Sequence, residues 1–411
     1  MKKSTKHQTY PFPYNNAKLF PFYLIKKTMK VCIIGSGIAG LYSAYILKNN
    51  HHDVTIFEKN NRIGGRIKTI SFDGINVVSG AGIGRDADVL LKKLCQDINA
   101  ETHPFQSKSM YYKMNPKFTV QDKIKELKEA NLQTNGTFKE VALPYLKKTQ
   151  YNQLVSYIGE TDYENEDYHD VMNDYGFDKS FSSGFPAFSI NWDNFLSIFQ
   201  SLLKENIVLN QKITHISKSK DGFLVNNKFF DKVIIATTIS QTKTILSSLL
   251  KNEKVLKYYD NIACQSFARV YAKLDKPLDF NNFRTVITKN PFQKMIEMNK
   301  DKNIYMISYS DNIQADFWKE HKYKLSETIE TQLKKQLDVE VKVKESKLCY
   351  WNCGTHYCLP LDKSFKTRDD YLKTVQNPMK NLFVVGEAFS RNHGWCEGAL
   401  ESVQNIFMKS K

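Results

Sequence analysis

The chain has 411 residues and a net charge of +16, and 41% of its residues are hydrophobic. This length predicts about two domains, and the hydrophobic content excludes a disordered chain. No apolar run approaches the ~20 residues that a membrane-spanning helix needs. The positive charge comes mainly from scattered lysines, without an arginine-rich stripe or a recognition module, so we expect no nucleic-acid partner. Seven cysteines in an irregular pattern predict a reducing compartment, and hence a cytoplasmic location.

Residues 1–28 precede the first predicted strand. They combine a basic start with a short apolar patch, Leu19 to Ile25, which contains a proline and lacks a small-residue cleavage pattern. A signal peptide is therefore not expected. We interpret residues 1–28 as an N-terminal extension, either dispensable or packed as an arm.

The first predicted strand and helix enclose a glycine motif. Residues 31–47 read VCIIGSGIAGLYSAYIL, in which G-x-G-x-x-G separates an apolar strand from an apolar-periodic helix. The first glycine allows a tight turn, the second lets a pyrophosphate approach the backbone, and the third lets the helix pack against the strand. Free N–H groups at the helix N-terminus then face the phosphates. The predicted contacts are Gly35, Ser36, Gly37, Ala39 and Gly40; the alternative is an ordinary strand–helix turn.

A second predicted strand, residues 54–57, ends at Glu58, which lies 18 positions after Gly40. This is about the distance at which an acidic residue meets the ribose hydroxyls of a bound dinucleotide. The glycine motif, its flanking elements and Glu58 together predict a dinucleotide site.

The segment that follows indicates which dinucleotide binds. Residues 58–69 read EKNNRIGGRIKT and resemble a segment of the flavin-containing amine oxidase family. That family includes monoamine and polyamine oxidases, L-amino-acid oxidases, protoporphyrinogen oxidases and carotenoid desaturases. The resemblance implies FAD, with Lys59, Gly65 and Arg66 near its diphosphate, and a guanidinium suits a phosphate pair. The alternative for the glycine pair is a surface turn.

Residues 79–85, SGAGIGR, are expected to cross into the second domain. Glycines let the backbone pass a flavin closely, so Gly82 and Ile83 are added to the implied FAD contacts. Many family members have an acidic residue at the start of this loop, whereas this chain has Val78 and Ser79 there.

The middle of the chain resembles the family only weakly. Helical patterns cover residues 86–98, 121–130 and 193–205. Eight acidic residues lie between Glu160 and Asp178. Such a run usually faces water, and the alternative is a funnel for cationic substrates.

A β pattern returns at residues 206–216 and resembles the family strand whose backbone contacts adenine. Ile213 occupies the position that is usually valine. Strands are also predicted at 222–225 and 231–237, and the second of these ends in small residues, as in the family.

A strand of the second domain carries an unusual residue. Most amine oxidases place there a lysine that contacts flavin N5 through water, and the best local match puts Arg269 at this position. Arginine stays protonated and cannot act as a base, but it can hold a water or bind a substrate carboxylate with two hydrogen bonds. A carboxylate would favour an amino-acid substrate. The alternatives are Lys273, in a shifted register, and a structural ion pair for Arg269.

Residues 350–357, YWNCGTHY, resemble the family's tryptophan-rich strand. Trp351 and Tyr357 are thereby implied as walls of an aromatic substrate cage, with core packing as the alternative. The nearby residues Cys349, Cys353, His356 and Cys358 lack C-x-x-C pairing, so no metal site is predicted. Some relatives attach FAD through a cysteine of this strand. The spacing of Cys353 and Cys358 matches those relatives poorly, so non-covalent FAD is expected.

The C-terminal segment completes the resemblance. Residues 381–387, NLFVVGE, predict a buried strand, and residues 391–402, RNHGWCEGALES, resemble the family's last helix and its entry. A helix N-terminus would stabilise negative charge on the reduced flavin. The implied contacts are Gly386, Glu387, Trp395, Cys396 and Ala399, with Trp395 also a cage wall. The alternative is an ordinary helix entered through a loop.

The predicted fold is α/β: a Rossmann-like FAD-binding domain of residues 29–85, 205–240 and 376–411, and an α+β substrate-binding domain of residues 86–204 and 241–375. The expected activity is removal of hydride from the C–N bond of an amine or L-amino acid, with O2 as acceptor and H2O2 as product. The implied catalytic residues are Arg269, Trp351, Tyr357 and Trp395. The alternatives are a desaturase-like or protoporphyrinogen-oxidase-like enzyme, and a non-catalytic flavoprotein, which the arginine keeps open.

Overall fold

The structure is a computed structural model that describes residues 28–132, 134–174, 184–251 and 253–408. The predicted N-terminal extension, except Thr28, lies outside the described residues, as does Asp178 of the acidic stretch. Among the described residues, no helix combines the length and apolar character that crossing a membrane requires.

The strands, in chain order, are β1 (Lys30–Ile34), β2 (Asp53–Phe57), β3 (Thr69–Phe72), β4 (Ile75–Val78), β5 (Ile83–Arg85), β6 (Thr102–Ser107), β7 (Ser109–Tyr111), β8 (Phe185–Ile190), β9 (Ile207–Val208), β10 (Ser217–Lys218), β11 (Phe223–Val225), β12 (Lys228–Phe230), β13 (Lys232–Ile235), β14 (Ile262–Leu274), β15 (Thr285–Ile287), β16 (Lys294–Asn299), β17 (Ile304–Asp311), β18 (Val343–Cys358) and β19 (Leu382–Val384).

The α-helices are α1 (Ile38–Asn49), α2 (Val89–Asp97), α3 (Val120–Glu129), α4 (Phe138–Ile158), α5 (Tyr168–Asp174), α6 (Trp192–Leu203), α7 (Ile239–Ser247), α8 (Glu253–Tyr258), α9 (Asn312–Glu320), α10 (Leu325–Leu337), α11 (Arg368–Gln376) and α12 (Cys396–Met408). Single 3₁₀ turns cover Lys204–Asn206, Tyr259–Asn261, Lys322–Lys324 and Glu387–Phe389. The helical patterns predicted at 86–98, 121–130 and 193–205 correspond to α2, α3 and α6.

A five-stranded parallel sheet in the order β19–β13–β1–β2–β9 is the centre of the first domain. Residues 31–34 of β1 are all buried, because helices and loops cover both faces of a parallel sheet. On one face α1 packs between the sheet and helices α6 and α12, and residues 38–47 of α1 are buried. The Rossmann-like α/β fold is confirmed. The strands of this sheet fall within the three predicted segments, whereas the exact domain boundaries stay a prediction.

One expected strand is shorter than its sequence pattern. Within residues 206–216 only β9 is a strand, and Ile213 lies outside it in an irregular segment. Ile213 is nevertheless buried in the core beside the sheet, and its carbonyl accepts a hydrogen bond from the Gln241 amide at 3.2 Å. The apolar side chain therefore reflects burial and not strand pairing.

The second domain contains a six-stranded sheet in the order β18–β14–β17–β16–β15–β7. Its pairs are antiparallel except for β15–β7, which is parallel. Helices α9 and α10 cover one face of it, with Trp318, Ile329 and Leu333 in the shared core. Helices α3, α4 and α5 form a separate cluster around Phe138. Together these elements are the expected α+β partner of the first domain.

The pair β14–β18 contains a bulge that shapes the site. Gln265 pairs with Thr355 and Phe267 pairs with Trp351, so residues 352–354 of β18 oppose the single residue 266 of β14. A Cβ atom at Gly354 would lie 2.2 Å from the Cβ of Phe267, so the bulge requires glycine at this position. Bulges of this kind redirect side chains and are common beside functional sites.

The acidic stretch connects the second domain to later segments of the chain. Its described carboxylates include four ion pairs: Glu160 with Lys294, Glu166 with His393, Asp170 with Arg368 and Asp174 with Arg391. Because partner side chains engage these carboxylates, they form neither a solvated loop nor an open anionic funnel.

Candidate functional site

The first glycine turn leaves an open space at its centre. A Cβ atom at Gly35 would lie 2.4 Å from the Ala236 carbonyl oxygen, and one at Gly40 would lie 2.0 Å from the Gly35 oxygen. Both glycines are therefore required by the fold itself. A Cβ atom at Gly37, in contrast, would meet no atom within 4 Å. The N-terminus of α1 opens onto this space, as a diphosphate site requires.

Glu58 organises the edge of this turn. Its Oε2 accepts hydrogen bonds from the Ser36 backbone at 3.0 Å and from the Ser36 hydroxyl at 2.7 Å. Its Oε1 accepts from the backbone N–H of Asn60 at 2.9 Å. The carboxylate is buried at the end of β2, which fixes its position. Lys59, in contrast, is exposed.

The second glycine pair packs directly against the first turn. Gly64 donates its N–H to the Ser36 carbonyl at 2.8 Å, and a Cβ atom at Gly65 would lie 3.1 Å from the Cα of Gly37. Gly65 also has φ +58°, which glycine adopts readily. Arg62 donates to the Gly65 carbonyl at 2.6 Å and holds this turn in place, a role that the sequence did not indicate. The surface-turn interpretation is wrong for this segment.

Glu387 is the centre of a buried ionic cluster. Its Oε1 lies 2.5 Å from Arg66 Nη1 and 2.5 Å from His356 Nδ1, and its Oε2 accepts from the Gly394 N–H at 3.2 Å. Burial opposes ionisation, but the contacts with His356 and Arg66 lower the pKa of the Glu387 carboxyl below its ordinary value. The cluster joins the second glycine turn, β18 and the entry to α12.

The loop at residues 79–85 lies between the two domains. A Cβ atom at Gly80 would lie 1.7 Å from the Arg66 carbonyl oxygen, and one at Gly82 would lie 3.1 Å from Nη2 of Arg269. Gly82 also accepts a hydrogen bond from the Trp192 indole at 2.9 Å, and the next residue, Ile83, begins β5. The loop therefore runs between the second glycine turn and Arg269.

Among the described residues, Arg269 is a buried cation without an anionic partner. Its side chain lies with the guanidinium carbon 5.1 Å from the ring centre of Tyr309 and 5.5 Å from that of Phe267. One long contact of 3.5 Å reaches the Val78 carbonyl, and Nε has no hydrogen-bond partner. No ion pair joins Arg269 to a carboxylate within the described part of the chain. The structural ion pair that the sequence left open is therefore not found there.

Two other side chains of β14 and β18 also contain polar atoms that lack partners within the described part of the chain. The amide nitrogen and oxygen of Gln265 are buried without hydrogen bonds among the described residues, and so is the Thr355 hydroxyl. Gln265 and Thr355 are paired across β14 and β18. Unpaired buried polar atoms are costly, so each of these groups, like Arg269 Nε, is open to a polar group of a ligand.

The three predicted aromatic walls lie in different surroundings, and the cage stays a prediction. Trp351 donates its indole N–H to the Ser79 carbonyl at 2.7 Å, beside the loop at residues 79–85. Trp395 is stacked by the Arg85 guanidinium, whose central carbon lies 3.9 Å from the ring centre. Tyr357 is half-buried, and burial raises the pKa of its hydroxyl. No ring contact joins the three within the residues that the structure describes.

The start of α12 lies close to the Glu387 cluster. Cys396 is half-buried, and burial raises the pKa of its thiol to about 12, so the thiol stays protonated. Ala399 is buried in the core of the first domain. Gly386 has φ +138° and places the 3₁₀ turn that carries Glu387.

The cysteine pattern predicts a reducing compartment, and the structure contains a disulfide between Cys264 and Cys353. Their sulfurs and His356 lie within 4.8 Å of one another, which is the spacing of a three-ligand metal site. The disulfide removes both thiolate ligands, and His356 Nε2 already accepts the Ile239 N–H at 3.2 Å. This chemistry does not favour a metal ion. An open surface cavity of about 550 Å³, lined by residues 322–327 and 346–348, contains none of the site residues.

The comparisons with known proteins agree with this geometry. The profile of the flavin containing amine oxidoreductases matches residues 190–405, and that of an NAD(P)-binding Rossmann-like domain matches residues 33–96. The chain belongs to the flavin-containing amine oxidoreductase family. Membership of this flavin-containing family implies FAD as the cofactor. The open space at Gly37, the helix N-terminus and Arg66 suit the FAD diphosphate.

Individual relatives resemble shorter parts of the chain. Protoporphyrinogen oxidase 2 of Arabidopsis thaliana is 26% identical over 130 residues, which are 30% of this chain and 26% of that protein. The 4,4'-diapophytoene desaturase of Staphylococcus aureus MRSA252 is 43% identical over 61 residues, 15% of this chain and 12% of that enzyme. The matched regions thus span about a quarter of the first relative and about an eighth of the second.

Similarity to a solved structure extends over almost the whole chain. A triple mutant of putrescine oxidase matches with a TM-score of 0.72, covering 92% of this chain and 98% of the other, at 14% sequence identity. At this identity the match shows that the fold is shared.

Proposed function

We propose that the chain is an FAD-dependent oxidase of a small amine that bears a carboxylate, that is, an amino acid. The supporting observation is Arg269, a buried guanidinium without a carboxylate partner among the described residues. A buried cation is costly when it stands alone, and a guanidinium binds a carboxylate with two parallel hydrogen bonds. An anionic substrate group would satisfy it.

Arg269 would orient the substrate through its carboxylate. On the same pair of strands, the Gln265 amide and the Thr355 hydroxyl are further buried donors and acceptors without partners among the described residues. Bound FAD supplies the acceptor for the hydride that leaves the C–N carbon. The residues of this chain hold the substrate in place and exclude bulk water, since orientation contributes much of the rate of such transfers. Arginine does not act as a base in this arrangement, because it stays protonated.

A simple cationic amine is the second candidate, and the acidic stretch does not support it. Glu160, Glu166, Asp170 and Asp174 are engaged by cations of this chain, so they do not offer a free negative surface. Trp395 already carries the Arg85 guanidinium on its ring, which occupies one face that could receive a cationic amine.

FAD would be held without a covalent bond. Cys353 is disulfide-bonded, and Cys358 is fully buried with its sulfur 3.6 Å from His393 Nε2. Neither sulfur is available to form a thioether with the flavin.

The test is an absorbance spectrum of the purified protein, followed by a peroxide assay with matched substrate pairs. Each pair consists of an L-amino acid and the amine that remains after its decarboxylation. We expect oxidised-flavin bands and peroxide from at least one amino acid, with much less from its matched amine. Peroxide from the amines alone would contradict the carboxylate role of Arg269. Bound flavin without turnover of either class would favour a desaturase-like or non-catalytic protein.

A further inference from the structure

One face of β14 carries Arg269 together with other side chains of the same strand. Side chains alternate between the two faces along a strand. Ser266 points toward α9, because its hydroxyl donates to the first carbonyl of that helix at 3.1 Å. Arg269 points to the opposite side, where its guanidinium lies 3.5 Å from the Val78 carbonyl. Gln265 and Phe267, which flank Ser266, therefore share the face of Arg269, here named the site face.

The neighbouring strand β18 adds three side chains to the site face. Directly paired residues of two antiparallel strands share a face. Thr355 is paired with Gln265, and Trp351 is paired with Phe267. Tyr357 lies two positions after Thr355 in the same strand, so it belongs to this face as well. The polar pair Gln265–Thr355 therefore lies between the two predicted aromatic walls of β18.

This polar pair is buried and has unused hydrogen-bonding capacity. Gln265 is 6% exposed, and its amide nitrogen and amide oxygen both lack hydrogen-bond partners among the described residues. The buried Thr355 hydroxyl lacks a partner there too. An amide offers two N–H donors and an oxygen acceptor, and a hydroxyl can both donate and accept. Such groups are costly when they stay unpaired, so a ligand group that satisfies them together would bind here.

The ligand group must both donate and accept hydrogen bonds. An ammonium group has donors only and would leave the Gln265 N–H groups unpaired. A carboxylate has acceptors only and would also approach a negative charge, because a Cβ atom at Gly394 would lie 3.4 Å from Thr355 Cγ2 and 3.9 Å from Asp162 Oδ2. A carboxamide presents an N–H beside a C=O. It can pair with the Gln265 amide through two hydrogen bonds and with the Thr355 hydroxyl through a third.

We propose that the Gln265–Thr355 pair is the side-chain subsite of the substrate and selects an amino acid whose side chain ends in a carboxamide. The substrate carboxylate is bound by Arg269, so this subsite rests on the proposed function. Four residues of strand separate the two ends by about 13 Å between Cα atoms. The guanidinium carbon of Arg269 lies 5.5 Å from the ring centre of Phe267, which is the residue between them on the site face, so the gap is shorter than this. L-Glutamine, the longer of the two common carboxamide amino acids, fits this span better than L-asparagine.

The pyrimidine ring of FAD offers the same hydrogen-bonding chemistry, since it also has an N–H beside a carbonyl. The shared face with Arg269 and with the predicted aromatic walls favours the substrate as the ligand of the polar pair. The two sources give different results on substitution. Loss of a flavin contact weakens FAD binding and changes the flavin spectrum, whereas loss of a substrate contact changes the substrate preference.

The first test is a panel of four substrates in the peroxide assay with FAD-loaded protein: L-glutamine, L-methionine, L-glutamate and L-lysine. L-Methionine is close in length to L-glutamine and has no carboxamide. We expect kcat/KM for L-glutamine to exceed the other three values by at least about 100-fold, because a site that hydrogen-bonds a substrate group discriminates strongly against analogues without it. Equal values for L-glutamine and L-methionine would overturn the proposal. So would a preference for L-lysine, which would assign the selection to a carboxylate such as Asp162.

The second test removes the polar groups one at a time. Gln265→Met keeps an unbranched side chain and should lower the glutamine-to-methionine ratio of kcat/KM at least tenfold, the order of two neutral hydrogen bonds. Thr355→Val keeps the shape and should lower the ratio about fivefold, for one hydrogen bond. Ser266→Ala is the matched control, because Ser266 is adjacent to Gln265 but faces α9, and it should leave the ratio unchanged. An unchanged ratio in Gln265→Met would overturn the proposal.

The remaining outcomes separate the subsite from the proposed function. Peroxide from several amino acids without preference for a carboxamide would overturn the subsite alone. No peroxide from any amino acid would overturn the proposed function and the subsite with it. Flavin titration of Gln265→Met gives a readout that needs no turnover: much weaker FAD binding with an altered flavin spectrum would assign the polar pair to the cofactor and overturn the subsite. If a variant does not fold, the substrate panel with the wild type still decides.

Discussion

Arg269→Met separates a substrate-binding role from a structural one. Arg269 is 4% exposed, and its Nε has no hydrogen-bond partner among the described residues. Methionine keeps a long, unbranched side chain and removes the charge. Hydrogen bonds to a charged group are worth about 1.5–3 kcal/mol. At about 1.4 kcal/mol for each factor of ten, the variant should lower kcat/KM for an amino acid by about 10- to 150-fold.

The same substitution should leave the decarboxylated amine almost unaffected, because that substrate never contacts the guanidinium. The ratio of kcat/KM between the amino acid and its matched amine is therefore the quantity to measure, by peroxide release from the FAD-loaded protein. Most of the loss should appear in KM, since the carboxylate contact is made in the ground state as well as in the transition state. Arg269→Lys, which keeps the charge without the planar fork, should fall between the wild type and Arg269→Met.

The free energy of unfolding gives a second test, because the substrate-binding and structural roles of Arg269 predict different results. Breaking a buried ion pair usually costs about 3–5 kcal/mol, because one charge is left alone. Arg269 already has no carboxylate partner within the described residues, so Arg269→Met should not lower the free energy of unfolding in urea. A loss of several kcal/mol would show that Arg269 is a structural residue. An equal loss of activity on both members of each substrate pair would refute the carboxylate contact, and loss of bound flavin would assign the guanidinium to the cofactor.

Three further predictions concern the cofactor cradle and the buried ionic groups. Gly37→Ala should unfold like the wild type but bind FAD at least tenfold more weakly, because its Cβ enters the open space that the cofactor would fill. Gly40→Ala should lose stability even without FAD, because its Cβ would lie 2.0 Å from a backbone oxygen. Urea unfolding and flavin titration of both variants measure the two effects. Glu387 has a lowered folded-state pKa, so its contribution is present above the unfolded pKa of ~4.3 and is lost as pH falls. The gap in unfolding free energy between the wild type and Glu387→Gln should therefore narrow in acid. His393 has the reverse sign, since burial lowers its pKa but contacts with Cys358 and Glu166 raise it above the ordinary value. The difference in unfolding free energy between the wild type and His393→Asn should be largest below pH ~6.5 and should narrow in alkali. A difference that stays constant with pH would contradict the raised pKa of His393.

The local parts of the FAD cradle were predictable from sequence because their physics is local. The glycines at 35, 37 and 40 act within one strand–turn–helix unit, and the distance to Glu58 reflects one helix and one strand. The second glycine pair was predictable only through the family resemblance. Its contact with the first turn, the hydrogen bond from Gly64 to Ser36, has no signal in either segment alone.

The long-range parts of the site were not predictable in this way. Cys264 and Cys353 are separated by 89 residues, and a bulge that shifts the register of β18 brings them together. The sequence pattern around Cys353 predicted no metal site and did not indicate which cysteine lies beside it. Likewise, the sequence left an ion pair open for Arg269, because it does not show which charged groups surround a buried side chain.

The ion pairs of the acidic stretch were not predictable from sequence either. The acidic stretch looked like a solvated run, since charge runs usually face water. In the fold its carboxylates meet cations from distant segments, such as Arg368 of α11 with Asp170 at 2.6 Å. Pairing of this kind depends on tertiary contacts, and only the fold reveals it.

The position of Glu387 links the predicted cofactor cradle to β18. One oxygen, Oε1, contacts both Arg66 of the second glycine turn and His356 of β18. A diphosphate that draws the Arg66 guanidinium toward itself would leave the carboxylate more dependent on His356, and this would raise the pKa of that histidine. By linkage, protonation of His356 would then strengthen FAD binding by the same factor, so the affinity for FAD measured as a function of pH reports the coupling through this one carboxylate.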